Sequence, residues 1–288
     1  MQLSRTLQAT ILGGSFAGFA HAFLVYGLFS LFEYQAVVPN APMTALLLGS
    51  FCLGFIAVGC SLYTRLLTPG IGFGALVTVV SVVELATPGP ERIGELGGAI
   101  VVDGAFYVLW YAESWAVWLS LLLVGAIAEY ALRSRYELGS DGIRTLPTLT
   151  RSRSTGITVV GTVSILVGIA VLTQLEASHN WDLAGSILGG GFAAVATVIA
   201  LGAVLGRGLL APAALYAVVV PTAMYTEVFT VPESGMHVLA IGVLAAASIG
   251  IVVLETAIRT GIRRVRSARS LSDGTLPSAA DSPEHHAD

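Results

Sequence analysis

The sequence predicts an all-α, polytopic helical membrane protein with eight transmembrane helices arranged as two parallel four-helix repeats. Three observations carry this expectation: an apolar composition, a one-sided placement of arginine, and a constant offset between two halves of the chain. The 288 residues are 55% hydrophobic and only 11% charged, whereas soluble domains carry roughly 25% charged residues. Mean hydropathy is +0.82. About 20 apolar residues make one helical span, so the length suits eight spans with short loops and no large soluble domain.

Apolar runs free of Arg, Asp and Glu cover about 9–32, 43–64, 71–83, 115–128, 156–175, 183–205, 209–226 and 237–254. The third and fourth reach spanning length when extended to Glu84 and Glu129. The stretch 93–111 is interrupted by Glu95, Asp103 and glycines and ends in Phe106, Tyr107, Trp110 and Tyr111. Aromatic residues favour the headgroup level, so this stretch reads as an interfacial or re-entrant segment rather than a ninth span. The resulting organisation is a cytoplasmic N-terminus over 1–8, a first repeat over 9–135, a cytoplasmic linker over 136–155, a second repeat over 156–262, and a disordered cytoplasmic tail over 263–288. The tail reads as disordered because it is rich in Ser, Pro, Asp and Ala and poor in apolar side chains.

Orientation follows from the basic residues. All 14 are arginine, with no lysine, a composition similar to that of proteins from salt-loving archaea. Short cytoplasmic loops collect Lys and Arg. Eight spans with both termini inside place Arg5, Arg65, Arg207, the group from Arg133 to Arg153 and the group from Arg259 to Arg269 in the cytoplasm, leaving Arg92 outside. A ninth span would move the C-terminal arginines to the wrong side. Ala20-His21-Ala22 has the small-x-small form of a signal-peptide cleavage site, but the apolar run continues to Phe32, which favours a retained span. The expected location is therefore the cell membrane, with the bilayer itself as partner and anionic headgroups against the C-terminal arginines. Nucleic acid is not expected.

The internal repeat shows when residue numbers are subtracted. Leu66-Leu67-Thr68-Pro69 and Leu209-Leu210-Ala211-Pro212 open the third and seventh spans at an offset of 143. The same offset carries Glu33 onto Glu176 and Glu84 onto Glu227. Later the offset is 126, where Glu129-Tyr130-Ala131-Leu132-Arg133 matches Glu255-Thr256-Ala257-Ile258-Arg259. Four spans return the chain to its starting side, so the two units lie parallel, and a pseudo-two-fold axis along the membrane normal is the expected relation.

Four acids, Glu33, Glu84, Glu176 and Glu227, sit at outer span ends. They read either as solvated ends or as an outer vestibule for a solute or cation, because carboxylate rings attract cations at pores. His21 lies near the middle of the first span, where ionisable residues are functional candidates, although a neutral histidine bonded to a neighbouring helix fits the same position. Glu176, His179 and Asp182 share an outer loop with metal-compatible donors, as do Glu233 and His237, but the first half has Ala36 in place of His179 and no metal site is assigned. Glu129 with Arg133, and Glu255 with Arg259, have the favourable i,i+4 order for structural ion pairs. Gly14-x-x-x-Gly18, Gly185-x-x-x-Gly189 and Gly202-x-x-x-Gly206 allow close helix contacts. Pro221 interrupts the seventh span and suits a cavity wall. Cys52 and Cys60 are eight positions apart on one helix, about 12 Å, beyond disulfide reach.

The chain has no His-Glu-x-x-His, Gly-x-Ser-x-Gly or P-loop motif, so neither an enzyme nor a cofactor is expected. The leading expectation is transport of a small solute or cation between the duplicated halves. The alternative is a non-transporting membrane subunit that binds lipid or a partner protein.

Overall fold

A computed structural model describes residues 5–38, 42–96, 99–136, 153–177, 182–229 and 236–272. The elements in chain order are α1 (Arg5–Leu31), α2 (Tyr34–Val37), α3 (Met43–Thr64), α4 (Thr68–Ala86), β1 (Glu91–Leu96), β2 (Ala99–Asp103), α5 (Tyr107–Glu113), α6 (Trp115–Tyr136), α7 (Arg153–Ala177), α8 (Leu183–Arg207), α9 (Ala211–Phe229) and α10 (Met236–Ser272). Among the described residues, seven helices are long and apolar enough to cross a membrane: α1, α3, α4, α6, α7, α8 and α10. α9 is 19 residues long like α4, and its apolar stretch Ala211–Thr226 is shorter than those seven. The chain is thus a helical, multi-pass membrane protein. Its large exposed hydrophobics, such as Phe16, Phe23, Ile71 and Val253, lie on the outside of the bundle, where lipid replaces water as solvent.

Residues 93–111 are a two-stranded antiparallel hairpin followed by α5. Glu91 pairs with Asp103 and Leu96 with Ala99, with an irregularity between Arg92 and Gly94. Arg92 is ion-paired with Glu95 on the same strand. α5 runs into α6 through Ser114, whose hydroxyl donates to the Trp110 carbonyl at 2.7 Å. At the other end of the chain α10 continues to Ser272, into the segment assigned to the tail on composition. Residues 137–152 and 273–288 lie outside the described part.

α1 packs on α3, and α7 on α8. Glycine lets both pairs approach closely. A Cβ on Gly18 would stand 2.8 Å from the Phe51 carbonyl oxygen, and one on Gly54 2.9 Å from that of Ala17. In the second pair a Cβ on Gly190 would stand 2.5 Å from the Gly168 carbonyl oxygen. Gly202 and Gly206, by contrast, face open space. α4 and α6 pack on each other and on α3, while α9 and α10 pack on each other and on α8. The two groups meet where α6 lies against α7, α8 and α9 and where α5 lies against α9. A two-fold axis would also bring α10 onto α1 and α3, but α10 packs on α8 and α9 of its own group. Among the described residues the extensive contacts between the groups are therefore not reciprocal, and the pseudo-two-fold expected from sequence is not seen in them.

The α3–α4 and α8–α9 junctions are built alike. α3 ends at Arg65 in a left-handed conformation with φ 62°, and α8 ends at Gly208 with φ 64°. Leu66 and Leu209 follow, both buried. The next two backbone N–H groups donate to one carboxylate in each case: Leu67 and Thr68 to Glu129 at 2.9 and 2.7 Å, and Leu210 and Ala211 to Glu255 at 3.2 and 3.1 Å. Each carboxylate also pairs at 2.6 Å with the arginine four residues on, Arg133 or Arg259. Helix N-termini carry orphan donors and partial positive charge, so a glutamate from the neighbouring helix satisfies both.

Candidate functional site

The space between the two groups is a groove of about 310 Å³ walled by α4, α6, α8 and α9. Gly72 on α4, Trp118 and Leu122 on α6, Leu201 on α8, and Ala217 and Pro221 on α9 define its surface. Glycine at 72 and alanine at 217 leave room that larger side chains would fill. Ala217 is exposed, so the groove opens on the side of the bundle. Tyr216, which also lines it, has its hydroxyl hydrogen-bonded to Thr197 at 2.9 Å. The lining is therefore apolar in character. Pro221 has no N–H to give the Ala217 carbonyl, which places an acceptor beside this wall.

The acids proposed for an outer vestibule do not form one structure. Glu84, on the last turn of α4, is 1% exposed. Its Oε1 accepts from the Tyr34 hydroxyl at 2.5 Å and its Oε2 from the Val108 backbone N–H at 3.0 Å. Glu84 thereby ties α2 and the start of α5 to α4, and both its oxygens are engaged. Burial, then the bond to Glu84 and its charge, push the Tyr34 phenol above its ordinary value, which keeps that hydroxyl a donor. Glu33 is exposed, with φ 50°, at the turn between α1 and α2. Glu176 is exposed on the last turn of α7. Glu227 belongs to α9, and its side chain is outside those described.

His21 is 3% exposed. Its Nδ1 lies 2.7 Å from the Ser50 carbonyl oxygen and its Nε2 2.9 Å from the Tyr111 hydroxyl. A carbonyl only accepts, so Nδ1 carries the proton and Nε2 accepts from tyrosine. Both ring nitrogens are used, and the ring edge also packs on Phe73 with centroids 5.1 Å apart. His21 joins α1, α3 and α5. The matching position of the second group is Ser164, buried with no hydrogen-bond partner for its hydroxyl.

The outer-loop donors resolve in part. Asp182 caps α8, accepting from the Gly185 N–H at 2.7 Å, which is the ordinary role of aspartate at a helix start. His179 and Glu233 lie outside the described residues, and the side chain of His237 is not described. Among the described residues no cluster of three His, Cys, Asp or Glu side chains is placed to hold a metal. Sequence reasoning missed Tyr34, Tyr111 and the groove itself. A tyrosine hydroxyl bonded to a residue 50 or 90 positions away leaves no local pattern, and an apolar groove leaves none at all. Comparison with protein-family models, with curated proteins and with solved structures finds no match.

Proposed function

We propose that the chain is a duplicated membrane protein with eight spans in two four-helix units of the same orientation, and that it binds an apolar chain of a lipid in the groove between them. The duplication is supported by agreement at atomic detail. α4 and α9 have the same bounds at an offset of 143, the left-handed caps fall at equivalent positions, and both glutamates cap equivalent N–H pairs. α9, equal in length to α4, then serves as the seventh span, and both termini face the cytoplasm with the arginines. Reporter fusions after Arg269 and near Asn180 test this, with inside and outside expected respectively. An external C-terminus sinks the eight-span reading.

The observation that carries the ligand is the apolar groove. A cation would lose its hydration there and gain too few oxygen ligands to replace it, so the lipid-binding alternative gains over transport. Neither unit needs to catalyse anything for this. An acyl chain gains little from leaving lipid for protein by the hydrophobic effect; its gain is dispersion with walls that otherwise lack neighbours. Exposed Arg263 and Arg264 supply the charge for anionic headgroups at the cytoplasmic surface. A diazirine analogue of palmitate should label wild-type protein on α6 or α9. Ala217→Trp, which fills the groove mouth, should abolish that labelling while sparing labelling elsewhere on the bundle. Equal labelling of both proteins removes the groove as the site.

A further inference from the structure

α6 is buried on two opposite faces. Toward its own unit, Trp115 lies over Gly49, Leu122 over Gly72, and Gly125 against Thr68. On the opposite side, Val117, Ser120, Val124 and Ala131 are also buried, with Ile127 partly so. These five positions are spaced 3, 4, 3 and 4 apart, the spacing of a helix seam. At about 100° per residue they fall on the side of α6 opposite those contacts, and α6 also packs on α7 and α8 of the second unit. On α7, Val160, Val163, Val167 and Ala170 are buried and fall to one side of Gly168, which meets Gly190 of α8.

The equivalent residues of the other unit are uncovered. At the offset of 126, the second face of α6 becomes Val243, Ala246, Gly250, Val253 and Ala257 of α10, and all five are exposed. Val243 is 69% exposed where its counterpart Val117 is 2% exposed. At the offset of 143, those residues of α7 become Ala17, Ala20, Leu24 and Gly27 of α1. Ala17 is partly exposed and the other three are exposed. Each chain therefore has one completed junction between units and the two complementary halves of another. The uncovered α10 seam includes Ala246-x-x-x-Gly250, which suits close backbone approach in a membrane. α10 and α1 cross the bilayer in opposite directions on the orientation proposed above, as α6 and α7 do.

We propose that a second copy of this chain covers the outward face of α10, presenting its α1 and repeating between chains the junction that α6 and α7 make within one. This rests on the two-unit reading. The contact is heterologous, α10 of one protomer against α1 of the next, and such contacts close into rings when the rotation allows. The open face of α1 on the last protomer is then met by α10 of the first.

Cysteine pairs test the arrangement in a Cys52→Ser, Cys60→Ser background, oxidised in native membranes. Gly250→Cys combined in turn with Ala20→Cys, Leu24→Cys and Gly27→Cys should give interchain dimers and larger species for at least one partner. Gly250→Cys alone, or an α1 cysteine alone, should give none. Crosslinking by Gly250→Cys alone indicates a symmetric α10–α10 contact and overturns the proposal, as does a chain that stays uncrosslinked in every pair. The intrachain pair Val124→Cys with Val167→Cys separates the two readings. If it links while the interchain pairs do not, the units stand and the oligomer falls; if it too fails, the two-unit reading falls with it. Gly250→Trp gives an independent check, since the position faces open space within one chain and the monomer should fold. Loss of oligomers in lipid nanodiscs, read by native mass spectrometry, is expected; oligomers unchanged from wild type would count against the seam.

Discussion

The α3–α4 and α8–α9 junctions of the two helix groups are braced by the same set of carboxylate bonds, whereas the opposite ends of the groups have almost nothing in common. At the junctions, Glu129 and Glu255 cap equivalent pairs of N–H groups and hold equivalent arginines. At the opposite end, the first group has Glu84 buried under Tyr34 and the Val108 N–H, and His21 bonded to Ser50 and Tyr111. The counterpart of Tyr34 in the second unit is Ala177, and that of His21 is Ser164. The difference follows from β1, β2 and α5, which belong to the first group among the described residues, and α5 supplies both Val108 and Tyr111. A buried carboxyl and a buried imidazole need fixed partners, and α5 provides one for each. The braced junctions need no such help, because a helix N-terminus always has orphan donors.

The sharpest test of this contrast is removal of Glu84. Glu84→Ala leaves the Tyr34 hydroxyl and Val108 N–H without an acceptor in a dry site, and buried groups stripped of partners cost about 1–3 kcal/mol each. A loss of about 4 kcal/mol is expected, seen as a large fall in thermal midpoint in detergent. Glu33→Ala and Glu176→Ala, on exposed side chains, should stay within about 0.5 kcal/mol of wild type. Equal effects for all three would mean that Glu84 is as solvated as the others.

How much of this was legible in the sequence depends on how far apart the partners are. Each described spanning helix falls on an apolar run, and the two Glu–Arg braces stand four residues apart on one helix, so spacing alone exposed them. Gly14 and Gly18 meet Phe55 and Phe51 as their motif suggests. Gly202 and Gly206 have the same spacing and face open space, because spacing identifies a smooth face but not the helix that will cover it. The hairpin from Glu91 to Asp103 was hidden by its charges and glycines, which also fit an interfacial segment. Tyr34 and Glu84 meet only through the packing of α2 on α4. The junction of α6 with α7 was invisible for a further reason: matching sequence patterns in two helix groups fix what each can offer, but not the rotation between them.

The second largest effect concerns helix approach. In the first unit the helix backbones approach each other at Gly14, Gly18 and Gly54, whereas in the second they do so at Gly168 and Gly190, whose counterparts are Val25 and Leu47. The point of closest approach has therefore moved along the helix pair between units. Gly190→Ala forces a Cβ into the Gly168 carbonyl and should cost about 3 kcal/mol, within the usual range for overpacking. Gly202→Ala, on the same helix in open space, should be neutral or slightly stabilising through helix propensity. If thermal midpoints rank the two variants the other way, the crossing point of α7 and α8 is not where it is described.

Removing the braces should affect both units alike. Glu129→Ala and Glu255→Ala each free two N–H groups, although Arg259 keeps its bond to Tyr136, and because water reaches these ends about 2 kcal/mol is expected for each. The two losses should add in the double variant, because the braces share no partner. Losses that differ by more than about 1 kcal/mol would make the match between the junctions one of form and not of energetics.

The smallest effect is the most discriminating, because equivalent positions should respond with opposite signs. Arg65 and Gly208 both adopt left-handed backbone, φ 62° and φ 64°. For a residue with a Cβ that conformation costs roughly 1 kcal/mol, while glycine adopts it freely. Arg65→Gly should relieve the strain, offset in part by a more flexible unfolded chain, and gain up to about 1 kcal/mol. Gly208→Ala adds the same strain and also places a Cβ 2.2 Å from the Arg135 Nε, so it should lose at least as much as the other gains. Arg135 is a flexible side chain that can swing aside, which limits the added loss. Guanidine unfolding in mixed micelles resolves changes of this size when the two variants are measured side by side. A gain at 65 with a loss at 208 fixes the left-handed cap as a feature common to both units; a loss at both would mean that the Arg65 side chain contributes more than its backbone costs.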